Sequence, residues 1–324
     1  MHNIEVHTLY IFNTNVYLFH HPSKIRLRIA CGPRTRGIFM NGIYNDEHNK
    51  NYGTDLACER RRANINIPGI IYRCEKAGSF TWERIDVTSA EGETEIGRPK
   101  GSYDTLTTER MDILDDGDIE DAANEIAKEL CLISEKTRVS PEKILVVGLG
   151  NEQLTPDSVG PRSALRVNAT MHLAENDPPL FRALECSQIA VISPGVMAKS
   201  GIEALDVVAS VCDTVEPDLV IAIDSIASRS SDRLGKTIQI SNTGIFPGSG
   251  IGNKRRPLSE KTLGIPVIAI GVPTVISAAA FSRDIEHEKR ESDGLFVSPR
   301  DIDVIVDVSA KIISQGINQA FGIL

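Results

Sequence analysis

The chain has no surplus of basic residues, no apolar run of membrane length and no clustered cysteines. Lys and Arg total 35 against 44 Asp and Glu, a net charge of -9 over 324 residues. That balance argues against a surface built on phosphate-backbone contacts, so no nucleic-acid partner is expected. A bilayer span needs about 20 consecutive apolar residues, and the start lacks the basic-then-apolar order of a signal peptide. We expect no membrane association and a cytoplasmic location. The six cysteines, Cys31, Cys58, Cys74, Cys131, Cys186 and Cys212, form no C-x-x-C pair and no Cys/His group at zinc spacing. They read as reduced, mostly buried thiols, and neither a metal nor a cofactor is expected.

What is present is 41% hydrophobic residues, enough for a sizeable core. Residues 1–55 stand apart. His2, His7, His20, His21 and His48 are irregularly spaced, and CGPRTRGIFMNGIYNDEHNK promises no core, although LYIFNTNVYLFHH has the pattern of a strand or two. Within 56–110, short apolar runs alternate with the turn signals KAGS, AEGE and RPKG, as in a small β-rich insertion. DIEDAANEIAKELCLI then places Ile119, Ala122, Ala123, Ile126, Ala127, Leu130 and Cys131 on one helical face. Beyond it the apolar strands ILVVGLG, IAVISPG, DLVIAIDS and IPVIAIGVPTV alternate with helical patterns such as PRSALRVNATMHLAE and GIEALDVVASVCDTV. SPRDIDVIVDVSAKIISQGINQAF closes the chain as a helix opened by Ser298-Pro299. The expected fold is α/β, a mostly parallel sheet with helices on both faces. We divide it into an N-terminal segment 1–55 and a domain 56–324, the latter with a β-rich subregion 56–110 and an α/β core 111–324.

In open parallel sheets, ligands bind beyond the carboxyl ends of the strands. ILVVG leads into Gly148-Leu149-Gly150, the start of a dinucleotide fingerprint, but the third glycine position holds Gln153, and no Gly-Lys-Ser/Thr follows. The loop does supply Asp157, in TPDSVGP, as either a helix cap or a working acid. Asp224 ends the apolar run of DLVIAIDS. A lone carboxylate there is costly to bury, so it caps the next segment, pairs with Arg229 or Arg233, or does chemistry. Two carboxyls facing each other cannot both ionise readily, so one holds a proton near neutrality while the other can deprotonate water. That is the apparatus for hydrolysing a peptide bond. Elsewhere Ser200 and Glu203 match the S-x-x-E capping box. Lys254, Arg255 and Arg256 form either a solvated basic turn or a lip that meets an acidic substrate.

YGTDLACE, VVGLGNEQLTPDSVGP, SPGVMAKSGIE, DLVIAIDSIASRS, SNTGIFPGSGIGNKR and LGIPVIAIGVPTV together resemble, in this order, the germination proteases of spore-forming bacteria. These are endopeptidases that degrade small acid-soluble spore proteins. The resemblance runs from about Tyr52 to the C-terminus. It implies an atypical aspartic endopeptidase of the phosphorylase/hydrolase-like three-layer α/β/α fold, similar to hydrogenase-maturation proteases. The two essential aspartates of the family match Asp157 and Asp224. The resemblance further implies a zymogen, a homotetramer, and activation by loss of an N-terminal propeptide. Processing is implied at an acid followed by a large apolar residue, Ala and, two residues on, Glu. Thr54-Asp55-Leu56-Ala57-Cys58-Glu59 fits, with the cut between Asp55 and Leu56 and the location in the spore core.

The sequence departs from the family in its long start before Asp55, in Gly53 where Arg is usual, and in Ile276-Ser277-Ala278 where Val-Asp-Ala is usual. Three other readings stand beside the first: a metal-dependent maturation-type peptidase, a non-catalytic nucleotide- or phosphate-binding domain, and an inactive copy.

Overall fold

The computed structural model describes the backbone of residues 5–11, 14–21, 24–29 and 38–39, and in full residues 54–60, 67–137, 139–248, 255–278, 280–281 and 295–322. The chain forms two units, 1–50 and 51–324. In the first, β1 (Glu5–Ile11), β2 (Thr14–His21), β3 (Lys24–Ile29) and β4 (Ile38–Phe39) pair antiparallel in chain order. LYIFNTNVYLFHH is thus a hairpin, with Leu9 opposite Val16.

The second unit is built on one nine-stranded sheet. Its order is β5 (Ile70–Ala77), β6 (Phe80–Val87), β7 (Gly101–Thr107), β11 (Thr237–Ser241), β12 (Val267–Ser277), β10 (Leu219–Ser228), β8 (Lys143–Gly148) and β9 (Gln188–Ile192). β13 (Phe296–Val297) pairs with the end of β12. The ladder β9-β8-β10-β12 is parallel, as the continuous Val/Ile/Leu runs predict. The sheet as a whole is mixed, because β11 runs antiparallel between β12 and β7 and joins the β-rich subregion edge-on to the α/β core. TIQIS is too short to stand out as an apolar run, yet it makes the two subregions one sheet.

Residues alternate between the faces of the parallel ladder. Ile144, Val146, Ile221, Ile223, Ile268 and Ile270 pack against helices α2 (Asp116–Lys136) and α9 (Ile302–Phe321). Leu145, Val147, Val220, Ala222, Val267 and Ala269 face the opposite layer, which includes α7 (Ala204–Val215). This is a three-layer α/β/α architecture.

The remaining helices are short. α1 (Ala90–Ile96) lies where AEGE suggested a turn: Ser89 caps it and Gly97, at φ 64°, stops it. α3 (Val159–Ala164) and α4 (Met171–Asn176) divide a stretch whose pattern reads as one helix, and α5 (Pro178–Leu184) follows beyond it. α6 (Met197–Ser200) and α8 (Glu260–Leu263) are single turns. Ser298 does not open α9. Its hydroxyl donates to the Thr274 carbonyl at 3.1 Å, and Asp301 occupies the cap position. Among the described cysteines only Cys212 is buried, and Cys74 and Cys131 are exposed, against the expectation of mostly buried thiols.

Two details of the ladder position the candidate site. β8 ends at Gly148 opposite Ile223, so β10 runs on past its neighbour from Asp224 onward. The chain leaves β8 for β9 on one side and returns as β10 on the other, which makes the gap between β8 and β10 a topological switch point. The β10–β12 register then shifts: Ile226 lies opposite Pro273 and Ala227 opposite Val275, so Thr274 has no counterpart.

Candidate active site

The glycines after β8 serve packing rather than phosphate. A Cβ on Gly148 would meet the Gly160 carbonyl oxygen at 2.4 Å and Ala164 Cβ at 2.7 Å. One on Gly160 would meet the oxygens of Leu149 at 2.1 Å and Ile223 at 2.5 Å. The first turn of α3 therefore lies directly on the strand ends. Gly150 holds φ 114°, and a Cβ there would stand 2.1 Å from the Asp157 carbonyl oxygen. The Asn151 N–H donates to that oxygen at 2.9 Å and to Asp157 Oδ2 at 3.0 Å. The loop closes on its own aspartate, and the backbone that a pyrophosphate would approach is already covered.

Asp157 does not cap α3, whose cap residue Ser158 makes no side-chain capping bond. Its half-buried carboxyl instead lines a cavity of about 220 Å³ together with Asp224, Asp55 and Arg255. Asp224 is 4% exposed. Pairing with Arg229 or Arg233 is not realised. Arg233 is bound to Glu83, and Asp224 Oδ1 accepts the Ser225 N–H at 2.9 Å. Burial raises the Asp224 carboxyl well above the usual Asp range, and the charges of Asp157 and Asp55 raise it further. Burial raises Asp157 as well, against the opposing pull of the Asn151 N–H and Arg255. The two strand-end acids meet in one crevice, each biased towards its protonated form.

Segment 54–59 is seated on the same wall. Asp55 N donates to the Ala227 carbonyl at 2.9 Å, Ala227 N donates back to Asp55 Oδ2 at 3.0 Å, and Arg98 Nη2 reaches Asp55 Oδ1 at 3.1 Å. Leu56 and Ala57 are wholly buried, and the Ala57 N–H is held by Gln239 Oε1 at 2.8 Å. The Glu59 carboxylate accepts from the Ser228 hydroxyl and from the backbone N–H of Arg229 and Ser230, at 2.7 to 2.9 Å. Each residue of the expected acid-apolar-Ala-x-Glu pattern thus has its own partner in the fold.

The three basic residues separate. Arg255 lines the cavity. Arg256 turns away to Glu203 at 2.6 Å and Asp206 at 2.5 Å. Lys254 lies outside the described residues. Glu203 consequently makes no capping bond to α7, and Ser200 accepts from Ile202 N, so the capping box is not formed. Ser277, where the family usually has Asp, accepts the Ala280 N–H at 3.1 Å. Two residues that motif reading passed over belong to the site. Arg98 follows α1 in a stretch that reads as a plain turn. The Thr274 hydroxyl, on the cavity wall and 1% exposed, has no protein partner among the described residues. Also among the described residues, no group of three His, Cys, Asp or Glu is disposed around a metal position, and no helix is long and apolar enough to cross a membrane.

The fold and site define a class, a three-layer α/β domain with one buried and one half-buried carboxyl lining a cavity at the switch point of its parallel ladder, a place where ligands bind in such sheets. The family comparison gives that class its member. The germination protease family model matches residues 48–287, and the chain belongs to that family of peptidases. A germination protease of Caldanaerobacter subterraneus subsp. tengcongensis is 38% identical over 82% of this chain and 93% of its own length. One of Clostridium acetobutylicum is 34% identical over 82% and 94%, and one of Oceanobacillus iheyensis 42% identical over 67% and 59%. Among solved structures, the [NiFe] hydrogenase maturation protease HycI of Thermococcus kodakarensis is 18% identical. It covers 57% of this chain and 99% of its own, with a TM-score of 0.33, a likeness too slight to bear on function.

Proposed function

We propose that the chain is an endopeptidase in which Asp157 and Asp224 activate a water between them. The observation that carries this reading is that both carboxyls line one cavity with their affinities for protons raised, Asp224 the more enclosed. Asp157, held by an N–H and offset by Arg255, ionises first and takes a proton from the water. Asp224 keeps its proton and polarises the scissile carbonyl. The hydroxyl then adds to the carbonyl carbon. As the tetrahedral intermediate collapses, Asp157 hands the proton it took from water to the leaving amine, while Asp224, still protonated, releases its hydrogen bond to the re-formed carbonyl. No bond forms between enzyme and substrate.

Family membership supports small acid-soluble spore proteins as substrates, a homotetramer, and a place in the spore core. The seating of Thr54-Asp55-Leu56 against the acid pair supports a zymogen that cuts itself between Asp55 and Leu56 and so loses residues 1–55, leaving 56–324 as the peptidase domain. The test is direct. D157N and D224N are expected to lower cleavage of a small acid-soluble spore protein by about 1,000-fold or more while melting as the wild type does. Near-normal cleavage by either variant would overturn the two-carboxylate mechanism. N-terminal sequencing of the active form should begin at Leu56, and another start would overturn the processing site.

A further inference from the structure

We propose that Arg98 and the Ala227 backbone N–H form the subsite that reads an acidic residue immediately before the scissile bond. Asp55 of the chain itself fills it first, and the acid of a separate substrate fills it afterwards. This specificity-determining role rests on the peptidase reading above and deepens it.

Both oxygens of the Asp55 carboxylate are bound, Oδ1 by Arg98 Nη2 at 3.1 Å and Oδ2 by Ala227 N at 3.0 Å. The backbone is gripped at the same point, since Asp55 N donates to the Ala227 carbonyl at 2.9 Å. The segment is thus docked on β10 three residues beyond Asp224, with its acid held and Asp55 itself on the cavity wall.

The pocket holds more positive charge than Arg98 alone. Arg60 Nη2 donates to the Thr54 carbonyl at 3.0 Å, and Arg98 Nη2 donates to the same oxygen at 3.2 Å. Burial and the charge of Arg98 pull the Arg60 guanidinium down to about 10, while Asp55 works against them. The Arg98 side chain is only 12% exposed, and neither its Nε nor that of Arg60 has a protein partner among the described residues. Cations so enclosed are costly without a carboxylate. Once the bond after Asp55 is cut and Asp55 departs, the pocket still requires an anion, and it opens on the cavity that holds Asp157 and Asp224. An amide of the same shape offers no charge and sets an NH2 where an acceptor is needed. A cavity of about 30 Å³ bounded by Asp55, Arg98, Tyr103 and Gln239 adjoins the carboxylate, enough for the extra methylene of a glutamate.

The experiment uses the full chain and two readouts. D55A removes the carboxylate and leaves the cations, so acetate, at constant ionic strength, should raise the melting temperature of D55A saturably. The wild type and D55A/R98Q should not respond. In the second readout, processed wild type should cleave a peptide containing Thr-Asp-Leu-Ala-Cys-Glu about 100-fold better in kcat/KM than its Asn counterpart, chiefly through KM. R98Q should lose most of that preference and R98K should keep part of it. The proposal is overturned if folded R98Q discriminates Asp from Asn as the wild type does, or if acetate stabilises D55A and D55A/R98Q alike. If acetate distinguishes these two variants but neither peptide is cut, the anion site stands and the peptidase reading falls.

Discussion

At the scale of single residues, Arg255 bears on both carboxyls of the proposed acid pair. It lowers the proton affinity of both Asp157 and Asp224. In the proposed mechanism Asp157 is ionised and Asp224 protonated, so the rate should rise with pH through the first and fall through the second. R255Q removes a common opposing charge, and its whole bell-shaped kcat/KM profile should move to higher pH. An unmoved acid limb would place Arg255 outside the electrostatics of the pair. Thr274 makes a complementary case, because its hydroxyl is buried on the cavity wall without a protein partner. T274V is expected to raise the denaturation midpoint slightly, as an unmatched polar group is costly, and to lower kcat through a worse-held water. The two acids were legible in the sequence because carboxylates at the ends of apolar strands are unusual enough to need a reason. Arg98 and Thr274 were not. One follows an unrecognised helix, and the other matters only through a shift in register that no local pattern encodes.

At the scale of elements, the contact between α3 and the strand ends decides where Asp157 stands. A Cβ on Gly160 would press on the backbone oxygens of both Leu149 and Ile223, so G160A must lift the helix from the sheet. We expect a loss of roughly 1–3 kcal/mol in stability, with reduced cleavage, both measurable from urea unfolding and initial rates. G195A tests the contrast: Gly195 has φ 70° but open space around it, so its cost should come from backbone strain alone. The alternation of strands and helices from residue 143 onward was readable because buried parallel strands are continuous apolar runs. β11 and α1 escaped notice for the opposite reason. TIQIS alternates polar and apolar residues over only five positions, and Gly92 makes a capped helix look like a turn.

At the scale of the whole molecule, a second buried acid pair ties the antiparallel wing to its helix. Asp104 on β7 and Glu129 on α2 are 0% and 1% exposed, and they face Arg84 on β6 and Lys136 on α2, with Asp86 beyond. Burial, with Glu129 alongside, pushes Asp104 up from 3.8 to about 7. The folded chain therefore keeps a proton that the unfolded chain has released, and this group's contribution to stability is lost as pH rises from about 4 to about 7. D104N should flatten the pH dependence of the melting temperature over that interval and melt no lower than wild type at pH 8. Parallel slopes for the two proteins would refute the assignment. The unmatched Thr274 in the β10–β12 ladder has a consequence of the same breadth. A ladder without it would be more regular, so deletion of that one residue should yield a chain that still folds. In such a chain Ile226–Pro273 and Ala227–Val275 become consecutive pairs, and what is lost is the extra residue that the irregularity places on the cavity wall. The irregularity is thus dispensable to the sheet but not to the crevice, so the deletion variant should unfold like the wild type in urea while cleaving more slowly.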